Sequence, residues 1–176
     1  MNYPMLHGSD DIRDTFLWLG GTATEDWDWR KELIPYLDKS IVYYDPCIRP
    51  GDNLEWDESA RKNEQKAKTY SRCQVYVIAS GMKGCFSIEE ITEAVITSKK
   101  GSVAVAILDR DNKFTPEMKR SLDACMERWV EQFSVRHCLA SLVLQMITKF
   151  LRQSIYSQLR DMHLSDFMRI KASSHF

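Results

Sequence analysis

Two uninterrupted apolar runs, Val75-Tyr-Val-Ile-Ala79 and Val103-Ala-Val-Ala-Ile-Leu108, bracket a segment of helical patterning from Ser87 to Lys99. A strand that is apolar at every position has no face to offer water, so it belongs in a parallel sheet covered by helices on both sides. Two further runs precede them: Thr15-Phe-Leu-Trp-Leu19, ending in Gly20-Gly21-Thr22, and Ile41-Val-Tyr-Tyr44, ending in Asp45-Pro46, where proline stops pairing. Between these two lies a helix over 28–39, with Leu33, Tyr36 and Leu37 as its apolar stripe and Asp26 or Asp28 as N-cap. A polar loop containing Pro50-Gly51 and Trp56 leads to an acidic-basic helix over 57–70, and Thr115-Pro116 opens another helix. Residues 134–137 read as a short fifth strand and 139–159 as strongly helical. The alternation predicts βαβ units in one doubly wound α/β domain spanning 1–176. Its parallel sheet has four or five strands flanked by helices, and 139–176 form a helical C-terminal extension.

Composition narrows the functional classes. With 24 basic and 25 acidic side chains the formal charge is −1, so no basic field is present to hold a nucleic-acid polymer. A small nucleotide needs only a pocket and stays open. Five widely spaced cysteines form no Cys-x-x-Cys pair and no His-x-x-x-His pair occurs, so a zinc site is not expected. Cys47, Cys73 and Cys138 read as small buried hydrophobes. The polar N-terminal segment lacks the core of a signal peptide, and no run is long enough to span a membrane. The expectation is a cytoplasmic protein with no membrane partner.

In a doubly wound sheet, ligands bind at the carboxyl ends of the strands. Gly20–Thr22, Asp45 and the Gly81–Phe86 loop all leave such ends and can converge on one crevice. Gly20-Gly21 lacks the dinucleotide-binding spacing and reads as a place of close backbone approach to a sugar or base. Trp56 either stacks on a base or anchors its loop on the core. Asp45 is either an acid at the crevice or a turn residue before proline. Ser87 and Lys83 stand near a helix start, where a phosphate can bind. Glu90 has two readings. As the last residue of Ser87-Ile-Glu-Glu90 it completes a capping box; as an ionised carboxylate at a positive helix end it is a nucleophile.

The order Phe16-Leu-Trp-Leu-Gly-Gly-Thr22, Trp29-Arg30-x-x-Leu33-Ile34-Pro35, Tyr44-Asp45-Pro46, Val75-Tyr-Val-Ile78 and Gly84-Cys-Phe-Ser-Ile-Glu-Glu90 resembles the nucleoside 2-deoxyribosyltransferase-like family over residues 15–108. The resemblance implies a flavodoxin-like fold and no cofactor. It implies that Glu90 attacks the anomeric carbon of a 2′-deoxynucleoside or its 5′-monophosphate, with Asp45 as a proton donor or a holder of a sugar hydroxyl. Gly20, Gly21, Thr22, Trp56, Gly84, Phe86 and Ser87 would contact the substrate. Where relatives often carry aspartate after the strand-opening cysteine, this chain has Gln74; where asparagine commonly precedes the proline, it has Asp45. A non-catalytic nucleotide-binding or sensing module on the same fold is the alternative. The apolar face formed by Leu142, Ile147, Phe150, Leu151 and Ile155 suggests a homo-oligomer seam.

Overall fold

The computed structural model describes residues 5–22, 27–82, 85–98, 102–109, 112–133 and 136–138. Its strands are β1 (Leu6–His7), β2 (Leu17–Gly21), β3 (Tyr43–Tyr44), β4 (Cys73–Ala79), β5 (Val103–Leu108) and β6 (Arg136–Cys138). Its helices are α1 (Trp29–Leu33), α2 (Glu58–Tyr70), α3 (Phe86–Thr97) and α4 (Pro116–Phe133). The six strands form one sheet in the order β1-β3-β2-β4-β5-β6. Every pairing is parallel except that of β1 with β3. The five parallel strands, numbered among themselves, run 2-1-3-4-5, an order compatible with a flavodoxin-like sheet.

The antiparallel edge corrects the expectation of a purely parallel sheet. Leu6 and His7 pair with Tyr44 and Tyr43, and the Asp45 N–H donates to the Met5 carbonyl at 3.0 Å. Met5 and Leu6 are buried by this pairing, which draws a polar-looking segment into the fold. The helix expected over 28–39 is also shorter. Asp28 caps α1 as anticipated, accepting from the Arg30 N–H at 3.2 Å, but a 3-10 turn over Ile34–Tyr36 follows Leu33. Pro35 has no N–H to continue the α-helical ladder. Residues 139–176, with the predicted extension and oligomer seam, lie outside the described residues.

Side chains of consecutive strand residues point to opposite faces, and the core divides accordingly. Trp18, Tyr44, Tyr76, Ile78 and Val105 pack with Ala67 of α2, Ile91 and Ala94 of α3, and Leu122 and Trp129 of α4. On the other face Leu17, Leu19, Val75, Val77 and Ala106 pack with Trp29 and Leu33 of α1. Each fully buried large side chain contributes roughly 1.5–3 kcal/mol, so the sheet interior is the stable frame on which the crevice is built. No described helix is long and apolar enough to cross a membrane.

Candidate functional site

The carboxyl end of β2 is closed by side chains and backbone of the protein itself. In register, Gly20 lies beside Tyr76 and Gly21 beside Val77. A Cβ at Gly20 would come within 2.3 Å of the Tyr76 ring and 2.6 Å of the Trp18 indole nitrogen. Gly21 has φ +104°, and a Cβ there would lie 2.2 Å from the Val77 carbonyl oxygen. Both glycines are thus required by strand packing before any ligand is considered. Thr22 is equally committed: its N–H donates to Val77 O at 2.7 Å, and its hydroxyl accepts from the Ala79 N–H at 3.1 Å.

Arg30, 2 % exposed, caps this end from α1. Its guanidinium donates to the carbonyls of Leu19 at 2.9 Å, Gly21 at 3.2 Å and Thr22 at 3.3 Å. Asp45 is its counterion at 3.5 Å. The other Asp45 oxygen receives Arg49 at 2.6 Å, and Oδ1 also accepts the Cys47 N–H at 3.0 Å. Arg49 in turn pairs with Asp28. Both oxygens of Asp45 are therefore engaged by the chain. Burial pushes the pKa of Arg30 down, opposed chiefly by Asp45.

The open recess lies between α2 and α3. Positions 86, 90, 93 and 97 of α3 share a helical face, as do 61, 64, 65 and 68 of α2. The two faces enclose a groove of about 1680 Å³ that includes Trp56, Glu64, Lys68, Phe86, Glu90 and Glu93. Trp56 is 55 % exposed and Phe86 69 % exposed, so the rim offers two aromatic surfaces to a planar ligand. Of the two readings of Trp56, the loop anchor does not fit this exposure.

Glu90 is recessed, its side chain 12 % exposed, and Lys68 Nζ stands 3.6 Å from its carboxylate and 3.1 Å from that of Glu93. The capping-box reading of Glu90 is corrected here. Helix α3 begins at Phe86 after Cys85, which makes no side-chain cap bond, so Ser87 already lies within the first turn. Burial raises the Glu90 pKa, while Lys68 and Arg30 favour the charged form. Glu64 is raised further, to about 7, by burial and then by the Glu90 charge. Beneath the groove Gln74 accepts from the Tyr76 hydroxyl at 2.8 Å and donates to Ser98 Oγ at 3.2 Å.

Of the residues singled out from sequence, the structure brings Trp56, Phe86 and Glu90 to this groove. Gly20, Gly21, Thr22, Asp45 and Ser87 are not among its described lining, and Lys83 and Gly84 lie outside the described residues. No sequence motif marks Glu64 and Lys68; their signal is the four-residue spacing on a helix whose one fully buried residue is Ala67. Among the described residues, no cluster of three or more His, Cys, Asp or Glu side chains is arranged to hold a metal ion. No protein-family model, curated protein or solved structure matches the chain.

Proposed function

We propose that the α2–α3 groove binds a 2′-deoxynucleoside or its 5′-monophosphate and breaks the N-glycosidic bond, with Glu90 as nucleophile. The observation that carries this reading is a recessed carboxylate in the first turns of the helix after β4, inside a groove rimmed by exposed Trp56 and Phe86. It agrees with the place the nucleoside 2-deoxyribosyltransferase-like resemblance gives to the nucleophile, and the flavodoxin-like strand order supports it. Glu90 Oε attacks the anomeric carbon, the carbon–nitrogen bond breaks, and its electron pair leaves with the base. Water or a second base then displaces Glu90, as in two-step retaining chemistry. The aromatic rim stacks on the base, and Lys68 and Arg30 favour the ionised form of Glu90 that the attack needs, against the upward push of burial. The enzyme works in the cytoplasm, as a homo-oligomer.

The test is chromatography of a reaction holding one deoxynucleoside and one foreign free base. Release of base or appearance of the exchanged nucleoside is expected, with a sugar adduct on the Glu90 peptide by mass spectrometry. Glu90→Gln should lower turnover by at least about a thousandfold, since the covalent step needs the charged oxygen. Absence of turnover in the wild type, with a thermal shift on adding nucleotide, would instead identify a sensing module. The Lys68–Glu90 ion pair is the observation that favours that second reading, because it occupies the carboxylate.

A further inference from the structure

Expulsion of a nucleobase requires a proton on its ring nitrogen, and the residue first expected to supply one is unsuited to it. Asp45 has both oxygens bound by Arg30, Arg49 and the Cys47 N–H. Gln74, where an aspartate is expected, carries no acidic proton, and its amide is tied to Tyr76 and Ser98. Glu93 points outward, its side chain 66 % exposed, and is paired with Lys68. Glu64 remains. It lines the same groove as Glu90 from the opposite helix, one turn before Lys68. Among the described residues no hydrogen bond or ion pair engages its carboxyl group.

Resting on the glycosidic reading above, we propose that Glu64 is the acid that protonates the departing base, working across the groove from the Glu90 nucleophile. As Glu90 Oε bonds to the anomeric carbon, the carbon–nitrogen bond breaks, its electron pair goes to the base nitrogen, and the Glu64 proton follows to that nitrogen. The Glu64 carboxylate then takes a proton from water or from the incoming base. That acceptor bonds to the anomeric carbon and releases the Glu90 carboxylate, and both groups return to their starting states.

The surroundings suit this division. Glu64 feels the charges of Glu90 on α3, Lys68 on its own helix and Arg30 on α1, and its own charge acts on Tyr44 of β3 and Tyr76 of β4. Burial and the Glu90 charge favour its neutral form, whereas Lys68 and Arg30 oppose them. A carboxyl group that titrates near the working pH is the best-matched acid for this transfer.

The experiment compares wild type, Glu64→Gln and Glu90→Gln on two substrates. One is a natural purine or pyrimidine deoxynucleoside; the other is an activated aryl 2-deoxyriboside whose aryloxide leaves without protonation. Circular dichroism and urea melts establish that each variant is folded, and Glu64→Ala, which likewise removes the acid, serves as a second variant if Glu64→Gln is not. Glu64→Gln is expected to lose about 10²- to 10⁴-fold on the natural substrate and less than about tenfold on the activated one, the size of a general-acid contribution. The alkaline limb of the wild-type kcat/KM profile should disappear in the same variant. Glu90→Gln is expected to fail on both substrates. Equal losses on the two substrates for Glu64→Gln, or no loss on either, overturn the role of Glu64 while leaving Glu90 standing. Wild type inactive on both, or Glu90→Gln active on both, overturns the glycosidic reading and Glu64 with it.

Discussion

Replacing Asp45 by asparagine isolates the buried ion network from the groove. Asparagine keeps an oxygen to accept the Cys47 N–H but removes the charge facing Arg30 at 3.5 Å and Arg49 at 2.6 Å. Arg49 is half-buried and retains Asp28, so its loss is small. Arg30, 2 % exposed, keeps only the carbonyls of Leu19, Gly21 and Thr22. At 3.5 Å and an effective dielectric constant of about 20, the lost attraction is roughly 5 kcal/mol. The surviving carbonyl bonds offset part of it, and a broken buried pair typically costs about 3–5 kcal/mol. We expect Asp45→Asn to destabilise by about 3–4 kcal/mol, a large share of a stability of about 5–15 kcal/mol. With a urea dependence of about 2 kcal/mol per molar, the unfolding midpoint falls by about 1.5–2 M. Adding Arg30→Met to Asp45→Asn should recover part of the loss, because the unpaired charge goes too. A midpoint lowered by less than about 0.5 M would show that the network does not hold the β2 and β3 ends, and the reasoning fails.

Gly21→Val should abolish folding more readily than binding, since φ is +104° and the new Cβ meets the Val77 carbonyl at 2.2 Å; a soluble variant with a wild-type urea midpoint refutes this. Glu64, raised by burial from 4.5 to about 7, binds its proton more tightly when folded, so its contribution to stability is present below about pH 4.5 and lost as pH rises to 7. At about 1.4 kcal/mol per pH unit the ceiling is roughly 3 kcal/mol, and solvent screening reduces it to about 1–2. Glu64→Gln should therefore gain about that much on wild type at pH 8 and nothing at pH 4, and equal urea midpoints at pH 8 would refute it. If the 139–155 face joins a second copy, light scattering should give at least twice the chain mass; a single-chain mass at micromolar concentration excludes that seam.

The sheet was legible where burial is two-sided. Val103–Leu108 forms β5 with the expected bounds, because a fully apolar six-residue run has few alternatives to a central strand. Caps were equally visible: Asp28 accepts from Arg30, and Thr115 accepts from the Met118 N–H at 3.2 Å ahead of Pro116. Strand β1 was not, since two residues make no periodic pattern and are fixed by Tyr43 and Tyr44 across the sheet. Local signals also misassigned reasons. Gly20 and Gly21 suggested ligand contact, yet Tyr76 and Val77 fill that space from another strand. Ser87-Ile-Glu-Glu90 suggested a capping box, but a helix starting two residues earlier, with Cys85 at the N-cap, leaves Glu90 to meet Lys68 on another helix. Glu64 was invisible for the same reason, since what sets it apart comes from Glu90, Tyr44 and Tyr76 on other elements.

The charge arrangement has a consequence for how two carboxylates share one groove. Burial raises the cost of ionising both, and the Glu90 charge raises it further for Glu64, so the groove holds a proton more readily than two isolated glutamates would. Which one keeps it is set by the cations. Lys68 touches Glu90 at 3.6 Å but makes no ion pair with Glu64, and Arg30 is fixed by Asp45 and three carbonyls. The balance leaves Glu90 the readier anion and Glu64 the readier acid. On the proposed reading, two chemically identical side chains would take different roles from their neighbours alone. Lys68 is the adjustable part of the device, because it also contacts the exposed Glu93 at 3.1 Å. A ligand that draws Lys68 fully onto Glu93 would free the Glu90 oxygens and at the same time raise the Glu90 pKa, because Lys68 favours its charged form. Fixed Arg30 therefore matters to the groove as well as to the fold: it is the cation whose influence on Glu90 does not depend on where Lys68 points.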